Sequence, residues 1–155
     1  SEFVAAQVAE RLRAAARVAT VGDGIVVNNQ YFNASNYNFT GLTCSGSTHP
    51  YKCFCLSRPS GVPNCETATC NELDMAKYDG WALSCAAVQT NPQTLSLTCT
   101  DNNVADVDSC SAGSRLQVIL AWPVASAGNQ NYTLNTRCNP NDSDSNACVI
   151  KDLTL

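Results

Sequence analysis

The hydrophobic pattern at the start of the chain predicts an amphipathic helix from residue 3 to about residue 20. Good helix formers dominate this segment, and neither Pro nor Gly interrupts it. Gly22 and Gly24 then supply a stop signal. The apolar residues recur at three- and four-residue steps and form one stripe, which consists of Val4, Ala5, Val8, Ala9, Leu12, Ala15, Ala16 and Ala19.

From residue 94 onward the apolar positions alternate with polar ones, which is typical of strands with one buried face. Four such segments occur, at residues 95–99, 116–122, 132–136 and 149–155. The stretches between them are rich in Asn, Asp, Gly and Ser, as turns are. The pattern predicts an antiparallel meander of about four strands with the N-terminal helix packed on its apolar face. The chain is therefore predicted to form a single α+β domain over residues 1–155.

A second helix is predicted near residues 71–87. Thr69 and Glu72 have the spacing of a capping box at its start, although Gly80 opposes helix formation. A short strand is expected at residues 24–28, and most of the remaining connection reads as loop. The side chains predicted to face inward from this helix are Leu73, Ala76, Trp81, Leu83 and Val88.

Composition narrows the functional class. Only 14% of the 155 residues are charged, the net charge is −4, and the Lys and Arg residues form no basic run. A nucleic-acid groove or a patch for an anionic membrane is therefore not expected. The single histidine, His49, excludes metal sites that need two imidazoles. The longest apolar run, residues 118–124, is far shorter than the ~20 residues of a membrane span.

Ten cysteines without a Cys-x-x-Cys pair predict a disulfide framework and an oxidising compartment. Two pairs are favoured because each flanks a predicted hairpin loop: Cys99–Cys110 and Cys138–Cys148. The other six cysteines allow about 15 connectivities, among which Cys65–Cys70 is favoured by proximity alone. Those six are Cys44, Cys53, Cys55, Cys65, Cys70 and Cys85.

This layout resembles the ectodomain of a bacterial type IV pilin, most closely a minor pilin of the PilV-like group. The segment CETATCNELDMAKYDGW at residues 65–81 is similar to the middle helix of those proteins, and RLQVILAW at residues 115–122 to their central strand. The resemblance implies a pilin-like roll. In it, residues 4–21 would be the C-terminal half of the pilin helix, 22–93 a disulfide-rich connection, and 94–155 the sheet and a C-terminal disulfide loop. Residues 1–3 read as a cloning remnant.

The resemblance implies a structural role without catalysis. The partners would be other pilin subunits, bound through the N-terminal helix, with Arg11, Arg13 and Arg17 adding contacts on the side opposite the apolar stripe. Membrane contact would occur only through a missing N-terminal segment. The protein would reside in the inner membrane with a periplasmic ectodomain and then in an extracellular pilus, where adhesion to a surface or carbohydrate is a further expectation.

Two other functional classes stay open on the residues alone. One is a secreted, disulfide-rich module that recognises carbohydrate or a protein surface, and the other is a small secreted hydrolase that uses His49. An Asn-rich segment supports the first, because its rings could stack on a sugar or could instead pack on the core. These rings are Tyr31, Phe32, Tyr37 and Phe39.

Further candidate sites each have an ordinary structural alternative. Asp142 and Asp144 match the first ligand positions of an EF-hand calcium loop, but the later glycine and glutamate are absent, so a solvated turn is the alternative. No other cofactor or metal is expected. Asp101 opens a second acidic loop, and Cys53 and Cys55 form either a redox pair or structural bridges. Glycosylation sequons at Asn33, Asn38, Asn131 and Asn141 are near the number expected by chance.

Overall fold

A computed structural model of the protein describes residues 2–18, 25–39, 53–89, 94–101, 110–123, 137–139 and 146–154. These residues form an α+β structure. Its helices are α1 (Glu2–Ala15), α2 (Cys53–Leu56) and α3 (Glu72–Val88), with 3-10 turns at Asn29–Phe32 and Ala34–Asn36. Its strands are β1 (Arg17–Val18), β2 (Ile25–Val26), β3 (Thr94–Thr100), β4 (Arg115–Pro123) and β5 (Asn146–Thr154).

The N-terminal helix is shorter than predicted. Instead of continuing to residue 20 or 21, α1 ends at Ala15, and Arg17 and Val18 pair antiparallel with Val26 and Ile25. The backbone groups of β1 thus bond to β2, a partner that helical periodicity cannot reveal. The strand predicted at residues 24–28 is confirmed as β2, while Ala19 lies outside the described residues.

The three-stranded sheet has the order β3-β4-β5, and both pairs are antiparallel. In the predicted meander, β4 would pair with residues 132–136. Instead its two edges hold β3 and β5, as in the row Leu97–Val118–Lys151. The meander order was therefore wrong, and residues 132–136 themselves lie outside the described residues.

The core lies between the inner face of this sheet and two helices. The alternation is confirmed: Leu95, Leu97 and Val118 are buried, whereas Ser96 and Thr98 are exposed. The prediction placed one long helix on the sheet, but α1 packs against α3, and α3 packs against β3. One buried cluster joins them, and it includes Val4, Val8, Leu12, Ala76, Leu83, Leu95, Leu116, Val118 and Leu120.

Helix α3 begins one residue later than predicted and uses a different cap. The Asn71 side chain accepts a hydrogen bond from the backbone N–H of Asp74 at 2.8 Å, so Asn71 rather than Thr69 is the N-cap. Leu73, predicted to face inward, is 41% exposed. Ala76, Leu83 and Val88 are buried as predicted, and Trp81 is half-buried.

Four disulfides join described residues. The favoured pairs Cys99–Cys110 and Cys138–Cys148 are both present, as is Cys65–Cys70. Their Cα atoms are 5.9, 6.3 and 5.6 Å apart. The fourth, Cys55–Cys85, links α2 to α3. Cys53 is also disulfide-bonded, and Cys44 lies outside the described residues.

Candidate functional site

Helix α1 presents two different faces. Val4, Ala5, Val8 and Leu12 are buried, as the apolar stripe predicted, while Ala15 and Ala16 are partly buried against the core. The opposite side is exposed over three turns and starts with an aromatic ring, since Phe3 is 66% exposed. The residues of this exposed stripe are Phe3, Ala6, Glu10, Arg13 and Ala14.

A buried carboxylate anchors α1 to α3. Arg11 donates from Nη1 to Oδ1 of Asp79 at 2.6 Å, and the Asp79 side chain is only 6% exposed. A buried carboxylate is stable in a fold when its charge and lone pairs are met by a cation and by hydrogen-bond donors. The Arg11 ion pair supplies the cation and fixes the position of α1 along α3.

Two tyrosines complete the surroundings of this carboxylate. Tyr31 donates its hydroxyl to Oδ2 of Asp79, and Tyr37 donates its hydroxyl to the Tyr31 carbonyl at 2.7 Å. Burial, followed by the hydrogen bond to Asp79, raises the pKa of Tyr31, and burial followed by the Asp79 charge raises the pKa of Tyr37. Both phenols therefore remain neutral donors at physiological pH.

A second ion pair closes the end of α1. Arg17 Nε lies 2.7 Å from Oε1 of Glu72 but is not aligned for a hydrogen bond, and Asn28 donates to the other Glu72 oxygen at 3.3 Å. Arg11 and Arg17 were predicted to point outward as filament contacts. Both pair with carboxylates of α3 and are partly buried, with side chains 36% and 39% exposed, whereas Arg13 is exposed. A carboxylate on α3, distant in sequence, decides the direction of each guanidinium.

The aromatic residues of the Asn-rich segment pack inward. Tyr31 and Tyr37 are 1% and 5% exposed, Phe32 packs on the core, and the Phe39 ring lies 5.2 Å from that of Phe54. Of the two interpretations of this segment, core packing is the one the structure supports. Tyr31 and Tyr37 are therefore inaccessible for stacking on a sugar.

The other predicted candidates also have structural roles or lie outside the described residues. Asp101 accepts hydrogen bonds from the buried hydroxyls of Ser111 and Ser114, each at 2.9 Å. Cys53 and Cys55 do not bond to each other, because Cys55 pairs with Cys85. The positions outside the described residues are Cys44, His49, Asn131, Asn141, Asp142 and Asp144.

The asparagine side chains of the sequons at Asn33 and Asn38 form hydrogen bonds within the protein. Asn33 accepts from the backbone N–H and the hydroxyl of Ser35, and the Asn38 amide bonds to the backbone of Leu95. The Asn38 side chain is thus committed to the fold.

Sequence reasoning missed the Asp79 anchor. The charge of Asp79 was only a weak signal, since α3 also contains the charged residues Glu72, Asp74 and Lys77. The partners of Asp79 lie 68 and 48 residues away in the sequence, at Arg11 and Tyr31. No local pattern specifies such a pairing.

The described ranges hold no group of three or more His, Cys, Asp or Glu side chains arranged to bind a metal ion. Among the helices of those same ranges, none combines the length and apolar character needed to cross a bilayer.

Comparisons of the chain with protein-family models, with curated proteins and with solved structures returned no match. The structure itself defines the class as a disulfide-rich α+β domain. Several disulfides in one small domain indicate an oxidising compartment, either extracellular or periplasmic.

Proposed function

We propose that this chain is the ectodomain of a minor type IV pilin, a structural subunit that acts in filament assembly and in adhesion without catalysis. The observation that carries the proposal is the division of α1 into a buried face and an exposed stripe, which beyond residues 1–3 contains Ala6, Glu10, Arg13 and Ala14. A subunit of a helical filament needs a helix that is fixed to its own domain yet keeps one side for neighbours.

The anchoring of α1 supports this role. An assembly helix must transmit force to the domain that it carries. The Arg11–Asp79 ion pair and the buried side chains of Val8 and Leu12 hold α1 in the core along most of its length. We propose that the exposed stripe contacts other pilin subunits and that an apolar segment preceding α1 holds the subunit in the inner membrane before assembly. The assembled protein would be extracellular.

Substitution of Ala6 tests the proposal. In the source bacterium, Ala6→Glu in the natural gene should lower the amount of this subunit in sheared surface filaments at least tenfold, because it places a longer, charged side chain on the proposed contact. Stability should change by less than about 0.5 kcal/mol, because Ala6 is exposed and glutamate is also a good helix former. The matched control is Leu73→Glu, which places the same charge at an exposed position of α3 instead.

Three results would contradict the proposal: normal filament content in the Ala6→Glu strain, equal loss in the Ala6→Glu and Leu73→Glu strains, or absence of the wild-type protein from filaments. The natural gene gives an independent check. A basic leader with a prepilin cleavage site and ~20 apolar residues before α1 is expected.

A secreted binding module is the second candidate function. The observation that favours it is a groove of 410 Å³ on the outer face of the sheet, lined by polar side chains. A signal-peptidase site directly before Val4 in the natural gene would favour this module over the pilin.

A further inference from the structure

The outer face of the three-stranded sheet arranges polar side chains in regular rows. Antiparallel register places Thr98, Gln117 and Asp152 opposite one another, and Thr100, Arg115 and Thr154 form the next row. Directly opposed side chains on one face have Cβ atoms about 4.5–5.5 Å apart. The two rows therefore make a continuous field of hydroxyl, amide, carboxylate and guanidinium groups.

The carboxylate of Asp152 orients the side chains of Arg115 and Gln117. Arg115 donates to Oδ2 of Asp152 at 2.9 Å, and Gln117 donates to Oδ1 at 3.1 Å. The hydrogen bond from Arg115, followed by that from Gln117, lowers the pKa of Asp152, so the carboxylate stays ionised. The Arg115 side chain is nevertheless 62% exposed, and the other N–H groups of its planar fork remain to face a ligand.

A second guanidinium, that of Arg137, lies above the same face of the sheet. Cys148 lies two residues from Ile150 and four from Asp152 on β5, so all three point to the outer side. The Cys138–Cys148 disulfide holds the neighbouring Arg137 there. Asn139 reinforces the attachment, because it donates to the carbonyl of Asn146 at 2.9 Å and accepts from its N–H at 2.7 Å.

These elements enclose a groove of 410 Å³, within the size range of small-molecule sites. Its base includes the apolar side chain of Ile119, which is only 8% exposed. The lining residues are Thr98, Thr100, Arg115, Gln117, Ile119 and Arg137. Among the described residues, the basic side chains that line the groove are Arg115 and Arg137, and Asp152 is the acidic side chain that bonds to Arg115.

We propose that this groove binds a carboxylated polysaccharide, with the two guanidinium groups contacting uronate carboxylates and the Thr and Gln side chains contacting sugar hydroxyls. Arginine's planar fork matches a carboxylate in a bidentate arrangement. Hydroxyl and amide groups supply both the donors and the acceptors that a sugar requires. A nucleic acid fits less well, because its dense phosphates need many cations. The described lining of the groove contains two arginines, which matches a ligand with one charge per sugar ring.

This inference names a site and a ligand class for the adhesive part of the proposed function, and it rests on that part alone. Binding is measured in solution with the full chain, without filaments. A protein that assembles into pili but binds no uronate would overturn this inference and leave the assembly role standing.

The test is isothermal titration calorimetry of the protein with a tetramer of galacturonate. Saturable binding is expected, with no binding of maltotetraose, the neutral counterpart. Arg137→Gln should weaken binding at least tenfold, and Thr98→Val, which removes only a hydroxyl, about threefold or more. The control Arg13→Gln removes the same charge from the exposed stripe of α1 and should leave affinity within twofold.

Several results would overturn the inference. They are no binding of the uronate, equal binding of maltotetraose, equal loss in Arg13→Gln and Arg137→Gln, or tighter binding of a sulfated maltotetraose, which has no carboxylate, or of a DNA oligomer. The last result would assign the groove to polyanions in general. Thermal unfolding of each variant shows whether it is folded, and Thr98→Val keeps the test decisive if Arg137→Gln unfolds.

Discussion

Single residues decide how closely the Asn-rich segment approaches α3. Gly80 is buried in the middle of this helix, and a Cβ atom built on it would collide with the carbonyl of Asn36. Four residues on, the Ser84 hydroxyl donates to the Gly80 carbonyl at 2.7 Å and accepts from the Asn38 N–H at 3.0 Å. The glycine that disfavours the helix in isolation is thus the residue that lets the loop dock.

Gly80→Ala should destabilise the protein. Alanine favours the helix by about 1 kcal/mol, but overpacking against backbone atoms costs about 1–3 kcal/mol or more. Because the obstructing atoms are backbone and cannot rotate away, the cost lies near the upper end of this range, and we expect a net loss of about 2 kcal/mol in urea unfolding. Gly61→Ala is the control, since nothing lies within 4 Å of its added Cβ. A neutral or stabilising Gly80→Ala would contradict this packing.

The buried phenols of Tyr31 and Tyr37 predict that the free energy of unfolding depends on pH under alkaline conditions. The pKa values of Tyr31 and Tyr37 are raised above the ordinary value of about 10, so the unfolded chain releases protons that the folded chain retains. Their stabilising contribution is fully present below about pH 10 and is lost as pH rises through the folded pKa. The slope reaches about 1.4 kcal/mol per pH unit for each phenol.

Urea unfolding between about pH 9 and about pH 11 checks this prediction. The double variant Tyr31→Phe/Tyr37→Phe should be less stable at neutral pH and should show a flatter alkaline slope. Tyr78, whose pKa is raised by burial and then by Glu66, is present in both proteins and cancels in the comparison. Equal slopes in the two proteins would contradict the prediction.

At the scale of elements, a side chain rather than another strand caps one position of the sheet edge. β3 is the first strand of the order β3-β4-β5. The Asn38 amide donates to the Leu95 carbonyl at 2.9 Å and accepts from the Leu95 N–H at 2.8 Å. Asn38 adopts the left-handed conformation, with φ of 65°, which asparagine tolerates better than most residues. It therefore satisfies a backbone pair at an edge that would otherwise invite association.

Asn38→Ala should cost more than Asn38→Gly. Both variants lose the two hydrogen bonds to Leu95, worth about 1 kcal/mol each, but only alanine also pays about 1–2 kcal/mol for the left-handed conformation. Chemical denaturation of both variants separates the two contributions. If both variants matched the wild type, the amide would not be covering the edge of β3.

At the scale of the whole molecule, the disulfides differ in the length of chain that each one closes. Cys55–Cys85 closes a separation of 30 residues and ties α2 to α3, whereas Cys65–Cys70 closes a separation of 5 residues just before α3. Trp81 adds to the first connection by donating from its indole to the Phe54 carbonyl at 2.9 Å. Restriction of the unfolded chain grows with the length of the closed loop.

Removal of the longer bridge should therefore cost more. By chain entropy, Cys55→Ala/Cys85→Ala is expected to lose about 4 kcal/mol and Cys65→Ala/Cys70→Ala about 2 kcal/mol. Guanidinium unfolding of the two double variants gives the comparison, and mass spectrometry of the non-reduced proteins verifies that the other bridges form. A greater loss from the shorter bridge would show that native contacts, rather than chain entropy, dominate.

Local signals in the sequence were sufficient for α1, α3 and the three strands of the sheet. The buried residues Val8 and Leu12 follow a helical period, and Leu95 and Leu97 follow a strand period. Sequence proximity and hairpin position were enough for three disulfides. The end of α1 was not predictable from local periodicity, because the helix ends where β1 pairs with β2.

The amino-acid sequence by itself determined the α+β class, the disulfide framework with its oxidising compartment, and the face of α1 that is buried, because periodicity and cysteine spacing are local properties of a chain. Only the tertiary structure decided the strand order, the pairing of Arg11 and Arg17 with carboxylates of α3, and the proximity of Arg115 and Arg137 on one face of the sheet. Each of these depends on residues that are distant along the chain and meet only after the backbone folds, so no local pattern could specify them.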